Sequence, residues 1–250
     1  MADILPPPKA AKKPPPRVYY EDDVVTLWHG DSRDVMANLG DRSVDCVITD
    51  PPYDARTHKS AKTNKGAGHD VKAVHFDAFT HERQIETFAE LARITRRWVV
   101  TTLATSTAFR FDLEPPPGLR CLRVGAWVKP NPMPQISGDR PGQGWEPILF
   151  LHREDVKPTW NGGGRHGVWT HPVVQGEGHP TVKPLPMVAD WVRLFTDPGD
   201  LILDPFAGSG TTLRAAKDEG RRAIGVELDE RYCEVIAKRL SQDTLFGGVA

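Results

Sequence analysis

The chain has 250 residues and a formal net charge of −1, with 39% hydrophobic and 26% charged residues. These values are typical of a soluble globular protein and exclude a uniformly basic nucleic-acid binder, so any polyanion would have to meet a local basic patch. Three widely spaced cysteines without metal-ligand spacing, and no apolar run that would span a bilayer, predict a cytoplasmic protein with no metal site and no membrane association.

The composition changes near residue 17. Residues 1–17 are rich in Pro, Lys and Ala, which favours a solvated, extended tail. Residues 18–245 are long enough for one α/β domain with a substantial core, and they contain no visible repeat. We therefore expect a disordered tail over 1–17 and a single domain over 18–245.

A short β-branched run, residues 44–49, reads as a buried strand and leads directly into Asp50, Pro51, Pro52 and Tyr53. Such a strand delivers its last residues to the carboxyl edge of a sheet, where open α/β sheets bind ligands. The two prolines stiffen the exit. A carboxylate, a proline carbonyl and an aromatic ring would then form a slot for a planar exocyclic amine. A stiff turn with a capping Asp is the alternative interpretation.

Residues 54–80 follow this slot and contain little apolar sequence. Basic side chains are spread through the segment at Arg56, Lys59, Lys62 and Lys65. Loops of this length are usually functional or disordered. A mobile flap over a polyanion and plain disorder are both open interpretations.

Strand and helix patterns alternate along the rest of the chain. Apolar spacing predicts strands at 24–28, 44–49, 98–102, 119–128, 145–152, 201–203 and 223–226. Helices are predicted at 34–39, 82–97, 187–195, 210–219 and 229–240. This alternation predicts a mainly parallel sheet with helices on both faces.

Two stretches within 129–178 do not fit regular structure. Residues 129–134 are proline-rich, and residues 159–178 combine Gly, Trp, His and Arg, which suits a loop that touches nucleic acid. A surface loop pinned by its tryptophans is an equally open interpretation.

A second ligand-binding pattern begins at Asp204, where a strand leads into a glycine turn. Gly208 and Gly210 permit a tight turn and a close approach of a ligand to the backbone. Leu213 stands where the dinucleotide fingerprint has its third glycine, which disfavours a nicotinamide dehydrogenase. The next strand ends at Glu227, whose carboxylate is placed to bind a ribose diol. The pattern predicts a nucleoside cofactor without saying which one.

Taken together, these motifs resemble the amino-group DNA methyltransferases of the β arrangement, which use S-adenosylmethionine. The matching segments are 29–32, 50–53, 127–130, 179–184, 204–212 and Glu227. They occur in that family's permuted order, with the catalytic motif before the cofactor glycines. The resemblance covers about residues 19–240.

The resemblance implies a Rossmann-like S-adenosylmethionine-dependent methyltransferase fold. Its sheet would have seven mostly parallel strands, one of them antiparallel, with helices on both faces. The target base would be handled by Asp50, Pro51, Pro52 and Tyr53. The implied cofactor residues are Asp31, Thr181, Lys183, Asp204, Phe206, Ala207, Gly208, Ser209, Gly210, Thr211 and Glu227. Asp31 would meet the adenine amine of the cofactor, and Glu227 its ribose. Thr181 and Lys183 would lie near its methionine carboxylate.

The implied activity is site-specific methyl transfer to the N6 amine of adenine in double-stranded DNA, by base flipping and direct transfer. Adenine is favoured because this Asp-Pro-Pro-Tyr form is the common adenine form of the family. Cytosine N4, an RNA substrate and a non-catalytic relative are the alternatives. Segment 129–178 is then the expected target-recognition region. The candidate DNA contacts are Arg56, Lys59, Lys62, Lys65, Lys129, Arg140 and Arg165. A homodimer and a role in restriction-modification are both left open by the sequence.

Overall fold

The computed structural model describes residues 15–52, 79–174 and 182–242, which form nine strands and six helices. The strands are β1 Arg17–Glu21, β2 Val25–His29, β3 Val44–Thr49, β4 Thr95–Thr102, β5 Leu119–Val128, β6 Trp145–Arg153, β7 Val168–Thr170, β8 Leu201–Asp204 and β9 Arg222–Glu227. The helices are α1 Ser32–Met36, α2 His81–Ile94, α3 Thr105–Leu113, α4 Leu185–Phe195, α5 Thr211–Asp218 and α6 Glu230–Leu240.

All nine strands belong to one sheet, in the order β1-β2-β9-β8-β3-β4-β6-β5-β7. The seven inner strands of this order, which are β2, β9, β8, β3, β4, β6 and β5, are the seven strands predicted from the sequence. Among them only β6 runs antiparallel to its neighbours, as expected. Two short edge strands extend the predicted sheet: β1 pairs antiparallel with β2, and β7 pairs parallel with β5. The described sheet therefore has nine strands, whereas the sequence predicts seven. The two edge strands are not predicted because their sequence patterns are weak.

Apolar layers cover both faces of the sheet, as the strand–helix alternation predicts. One layer joins alternate strand residues such as Cys46 and Ile48 to α4, α5 and α6, and it includes the large buried side chain of Trp191. The other layer joins Val47 and Val99 to α1, α2 and α3. Alternate residues of β3 therefore serve opposite faces, and this fixes the register that carries the strand end to the sheet edge.

The first described strand starts inside the segment predicted to be a tail. Arg17 opens β1, pairs in register with His29 of β2 and forms an ion pair with Glu230 of α6. Arg17 therefore belongs to the folded domain rather than to the tail. Residues 1–14 lie outside the described part of the chain.

Within the described residues, no helix has the length and apolar character needed to cross a membrane. The same residues contain no cluster of three or more His, Cys, Asp or Glu side chains that would hold a metal ion.

Candidate active site

Several polar strand ends meet at one edge of the sheet. Strands β2, β9, β8, β3 and β4 are mutually parallel, so their carboxyl ends lie side by side. Because β6 is antiparallel, its first residues reach this same edge, and Glu146 stands opposite Trp127 in the register. The edge therefore gathers Asp31, Asp50, Thr102, Lys129, Glu146, Asp204 and Glu227.

Asp50 directly follows β3 and is held at both carboxylate oxygens. The hydroxyl of Thr102, on the neighbouring strand β4, donates a hydrogen bond to Oδ1 of Asp50. The ammonium of Lys183 lies 2.5 Å from Oδ2. Pro51 is buried and Pro52 is half-buried. Each carboxylate oxygen has two acceptor positions, and Thr102 and Lys183 each use one position on a different oxygen of Asp50.

Lys183 is buried beside two carboxylates. Its Nζ lies 2.5 Å from Asp50 and 3.6 Å from Oε2 of Glu146. Burial acts to lower the pKa of this ammonium, but the two neighbouring carboxylates outweigh it, so the pKa of Lys183 is raised. The family resemblance implies that Lys183 lies near the cofactor, and the structure adds a direct contact between Lys183 and the Asp50 carboxylate.

Glu146 is a site residue that the sequence motifs do not reveal. Oε1 of Glu146 pairs with Nζ of Lys129, and Oε2 faces Lys183. Lys129 also lies over the ring of Trp127, with Nζ 4.7 Å from the ring centroid. The sequence predicts that Lys129 contacts DNA, but its side chain is only 14% exposed and is directed into this cluster. Glu146 reaches this edge because β6 is antiparallel, a direction that the strand pattern of the sequence does not give.

Asp204 ends β8, the neighbour of β3 in the sheet. The hydroxyl of Thr49 donates to its Oδ1 at 2.7 Å, and the N–H of Phe206 donates to the same atom at 3.2 Å. Burial raises the pKa of Asp204 to about 6, although these hydrogen bonds act in the opposite direction. The charge of Asp50 adds to the rise. The two carboxylates of the two predicted motifs are thus close enough to interact.

The turn after Asp204 is built as its glycines predict. Gly208 and Gly210 have φ of 53° and 75°, in the left-handed region, and Gly210 is the N-cap residue of α5. A Cβ atom on Gly210 would lie 2.9 Å from two carbons of Ile236. Arg239 donates to the carbonyl of Ser209 at 3.1 Å and thereby ties the turn to α6.

The other residues of the turn are held by local contacts. The N–H of Ala207 donates to the carbonyl of Val226 at 2.9 Å. The hydroxyls of Ser209 and Thr211 are 3.2 Å apart. Phe206 packs edge-on against Phe79, with the ring centroids 5.8 Å apart.

Leu213 explains why the third glycine of the dinucleotide fingerprint is unnecessary here. In that fingerprint the third glycine lets the helix pack closely on the strand. In this protein the small residue is on the strand instead: a Cβ on Gly225 of β9 would lie 2.5 Å from a methyl of Leu213. The close packing of α5 on the sheet is therefore preserved with the residue sizes exchanged.

Glu227 ends β9 beside the glycine turn. Its Oε2 accepts from the N–H of Gly208 and its Oε1 from the N–H of Asp229, both at 2.8 Å. Burial raises the pKa of Glu227 to about 7, against the lowering effect of these backbone donors. Glu227 is thus a buried carboxylate next to a tight glycine turn, a position from which a carboxylate can accept hydrogen bonds from a ribose diol.

Asp31 lies at the end of β2, where it caps α1 by accepting from the N–H of Arg33. Its carboxylate also forms an ion pair with the Arg33 guanidinium at 2.7 Å. The side chain is 11% exposed. Because β2 is the neighbour of β9, Asp31 lies at the same edge as Glu227. Its carboxylate can accept a hydrogen bond from an adenine amino group.

The remaining predicted site residues divide into two groups. Arg140 pairs with Asp139, and Arg165 forms two hydrogen bonds with Asp190, at 3.1 and 2.9 Å; both arginines are exposed. The others lie outside the described residues, and their roles stay predictions: Tyr53, Arg56, Lys59, Lys62, Lys65 and Thr181.

Comparison with known proteins identifies the same family that the sequence motifs resemble. A family model described as DNA methylase, of the N6/N4 methyltransferases, matches residues 44–239. The Type II methyltransferase M.XycI of Xanthomonas campestris pv. cyanopsidis is 29% identical over 268 residues, covering 86% of this chain and 87% of that protein.

Two solved structures share this fold over most of the chain. The M1.HpyAVI–SAM complex has a TM-score of 0.65 at 24% identity, covering 87% of this chain and 100% of that one. The PvuII DNA methyltransferase, described as cytosine-N4-specific, has a TM-score of 0.68 at 16% identity, covering 91% and 90%. These likenesses extend over almost the whole chain.

Proposed function

Because this chain belongs to the N6/N4 DNA methylase family, whose members use S-adenosylmethionine, we propose that it methylates the exocyclic N6 amine of adenine in double-stranded DNA. The observation that carries the proposal is the position of Asp50. This carboxylate stands at the sheet edge, directly after the strand that neighbours β8 and its Asp204, and is oriented by Thr102 and Lys183. The choice of adenine over cytosine rests on the Asp-Pro-Pro-Tyr form of the motif.

The cofactor site fits the chemistry of S-adenosylmethionine. The glycine turn from Gly208 to Gly210 lets a ligand approach the backbone, and the Glu227 carboxylate beside it accepts hydrogen bonds from ribose hydroxyls. Asp31 accepts from the adenine amine. When bound, the cofactor supplies a sulfonium methyl group that is already activated for displacement, so the protein needs mainly to position and orient the acceptor.

The chain's own residues act on the acceptor amine. Its nitrogen is a weak nucleophile because the lone pair is delocalised into the ring. Hydrogen bonds from the amine to Asp50 and to the carbonyl of Pro51 draw electron density back onto the nitrogen. The nitrogen forms the new bond to carbon, the carbon–sulfur bond breaks with its electron pair on sulfur, and the amine releases one proton to solvent.

A base in duplex DNA must leave the stack before it reaches this slot. Extrusion costs a few kcal/mol. Stacking on an aromatic ring, here that of Tyr53, returns about 1–3 kcal/mol. No cysteine is needed for this direct transfer, and burial raises the pKa of the Cys233 thiol to about 12, which keeps it protonated and unreactive.

The test is transfer of an isotope-labelled methyl group from S-adenosylmethionine to unmethylated duplex DNA, followed by mass spectrometry of the nucleosides. We expect the label in N6-methyladenine. Asp50→Ala should reduce transfer by about 100- to 1,000-fold while calorimetry shows cofactor binding near that of the unaltered protein. Glu234→Gln, at an exposed carboxylate on α6, is the matched control and should stay active.

Each outcome of this experiment is informative. Label in N4-methylcytosine would keep Asp50 in its role and overturn the assignment of adenine. Cofactor binding without any transfer to DNA would overturn the proposed substrate, and RNA would be assayed next. Full activity of Asp50→Ala would overturn the assignment of the amine-binding carboxylate. A role in a Type II restriction-modification system, which the name of M.XycI suggests, is part of the proposal and is tested by mapping the methylated sequence.

A further inference from the structure

Four side chains of alternating charge form a continuous chain at the active edge. In order they are Asp50, Lys183, Glu146 and Lys129. The contacts are 2.5 Å from Asp50 to Lys183 and 3.6 Å from Lys183 to Glu146, and Glu146 then pairs directly with Lys129. The four residues come from four separate segments, so the folded sheet alone brings them together.

The chain is shielded from solvent. The exposed fraction of the side chain is 27% for Asp50 and falls to 9% for Lys183, 20% for Glu146 and 14% for Lys129. Both ammonium groups also lie over the ring of Trp127, with Nζ of Lys129 4.7 Å and Nζ of Lys183 5.7 Å from the ring centroid. Shielded ion pairs of this kind are screened far less by salt than pairs on the surface.

Lys183 is shared between the carboxylates of Asp50 and Glu146, and this sharing determines how strongly its ammonium acts on Asp50. An ammonium that rests entirely on a carboxylate withdraws electron density from it and weakens it as a hydrogen-bond acceptor. In this structure Glu146 competes for Lys183, while Thr102 fixes the other oxygen of Asp50. Lys129 in turn neutralises and orients Glu146.

We propose that Glu146 is a positioning residue for the amine-binding carboxylate Asp50, acting through Lys183, and that Lys129 supports Glu146 instead of contacting a DNA phosphate. The inference rests on the proposed function, in which Asp50 receives the acceptor amine. It assigns a role to Glu146, to which the sequence motifs give none, and it changes the role of Lys129.

The charged groups around Lys183 give this proposal a measurable signature in pH. Lys183 faces Asp50 after β3 and Glu146 on β6, with the neutral ring of Trp127 on β5 beside it and Lys129 beyond Glu146. Both carboxylates raise the pKa of Lys183 against burial. Replacing Glu146 by a neutral residue removes one of them, so the ammonium should deprotonate at lower pH.

The first experiment compares Glu146→Gln with Glu146→Asp and with the exposed control Glu234→Gln. For Glu146→Gln we expect kcat to fall about 10- to 100-fold, with KM for DNA and for S-adenosylmethionine changed less than about threefold. The alkaline limb of the pH–rate profile should move to lower pH. Glu146→Asp keeps the charge and should restore part of kcat and the position of that limb.

A second measurement does not depend on activity. The Cε resonance of Lys183 in lysine-labelled protein, assigned with Lys183→Arg, reports its titration by NMR. We expect the pKa of Lys183 to be lower in Glu146→Gln than in the unaltered protein and unchanged in Glu234→Gln. If the unaltered protein fails to methylate DNA, the proposed function fails while this titration still tests the ion-pair chain. An unchanged titration together with an unchanged kcat in Glu146→Gln would overturn the inference.

Lys129→Met separates the two roles of that lysine. A phosphate contact would raise KM for DNA and reduce the slope of log affinity against log salt by about 0.9. A supporting role for Glu146 predicts a lower kcat with the salt slope unchanged. Lys238→Gln, at an exposed lysine on α6, is the comparison for a change of surface charge. A reduced salt slope with normal kcat in Lys129→Met would return Lys129 to DNA binding and overturn its assignment here.

Discussion

At the residue scale, the candidate site is distinguished by carboxylates whose burial reduces the stability of the folded protein. Asp204 is 3% exposed and Glu227 is 7% exposed, and burial raises the pKa of each. A carboxyl group whose pKa is higher in the folded state stabilises the protein at low pH and loses that contribution as pH rises. Both residues therefore reduce stability at neutral pH, as expected where a fold holds charged groups ready for a ligand.

We expect Asp204→Asn to be more stable than the unaltered protein at pH 8. The folded-state pKa is about 6 and the ordinary value 3.8, so the penalty is absent below pH 4 and complete above pH 6. A shift of this size corresponds to roughly 3 kcal/mol as an upper bound. The Asn oxygen still accepts from Thr49 and from the N–H of Phe206.

Urea unfolding at pH 8 and at pH 4 measures the effect of Asp204→Asn. The gain in unfolding free energy should be present at pH 8 and vanish at pH 4. Glu227→Gln is the contrast, because both oxygens of Glu227 accept from backbone N–H groups and an amide nitrogen would face one of them. A loss of stability in Asp204→Asn at pH 8 would contradict this account of its burial.

Glu227 gives a second prediction, for cofactor affinity. Ribose hydroxyls donate best to the ionised carboxylate, and the pKa of Glu227 is about 7. Affinity for S-adenosylmethionine should therefore rise up to about tenfold between pH 6 and pH 8. Calorimetry at both pH values measures it, and Glu227→Gln should bind weakly with a flatter dependence. Equal pH dependence in the two proteins would exclude Glu227 as its source.

Site residues can be predicted from the sequence when an apolar strand directly precedes them. Asp50, Asp204 and Glu227 each end or follow an apolar strand, so the strand pattern itself points to them. Glu146 precedes the apolar part of β6, and only the antiparallel direction of that strand brings it to the same edge. Direction cannot be read from alternation alone, so sequence reasoning misses Glu146 and treats Lys129 as a surface cation.

At the element scale, Gly210 of the glycine turn and Gly199, which lies just before β8, form a matched pair for substitution. Gly210 and Gly199 both have left-handed φ, 75° and 83°. A Cβ on Gly210 would meet Ile236 at 2.9 Å, whereas a Cβ on Gly199 has nothing within 4 Å. Gly199→Ala should therefore cost about 1–2 kcal/mol for backbone strain alone. Gly210→Ala should add about 1–3 kcal/mol of overpacking.

Thermal and urea unfolding measure both glycine variants. In a double-mutant cycle, Ile236→Ala should remove the steric part of the Gly210→Ala cost and leave the backbone part. Gly210→Ala should also weaken binding of S-adenosylmethionine, while Gly199→Ala should not. Equal losses of stability in the two single variants would show that the contact with Ile236 is relieved without cost.

The elements that the sequence does not predict are those with weak patterns. β1 follows a run of prolines, and β7 has three residues, of which Val168 and Thr170 are exposed. Helix α3 is missed because only Thr107, Ala108 and Phe111 of its nine residues are buried. The strong apolar run of β3, in contrast, predicts that strand with its bounds unchanged. Elements at the sheet edges depend on tertiary pairing more than on their own pattern.

At the scale of the whole molecule, a net charge of −1 means that attraction to DNA must be local. The paired states of Lys129 and Arg165 leave the basic residues of segment 54–80 as the stronger candidates for phosphate contacts, although they lie outside the described residues. Replacing Arg56, Lys59, Lys62 and Lys65 by Gln should weaken DNA binding. The salt slope should fall by about 0.9 for each phosphate that is no longer neutralised.

Binding to unmethylated duplex measured by fluorescence anisotropy across a salt series tests this prediction. Lys238→Gln, at an exposed lysine on α6, is the control and should leave the slope unchanged. Affinity for S-adenosylmethionine should be the same in all of these proteins. A salt slope that is unaltered by the four substitutions would assign DNA binding to another surface.

The position of β3 between β4 and β8 has a consequence for how the protein is made. Thr49 and Asp204, which are hydrogen-bonded, are 155 residues apart in sequence. On the ribosome, at about 5–20 residues per second, roughly 8 to 30 seconds therefore pass between synthesis of β3 and synthesis of its neighbour β8. A nascent or truncated chain that lacks β8 and β9 carries Asp50 without Asp204 and Glu227, and we expect it to transfer no methyl group. Two fragments divided within segment 54–78 would have to rebuild the centre of the sheet between them, so methylation of DNA would report their association.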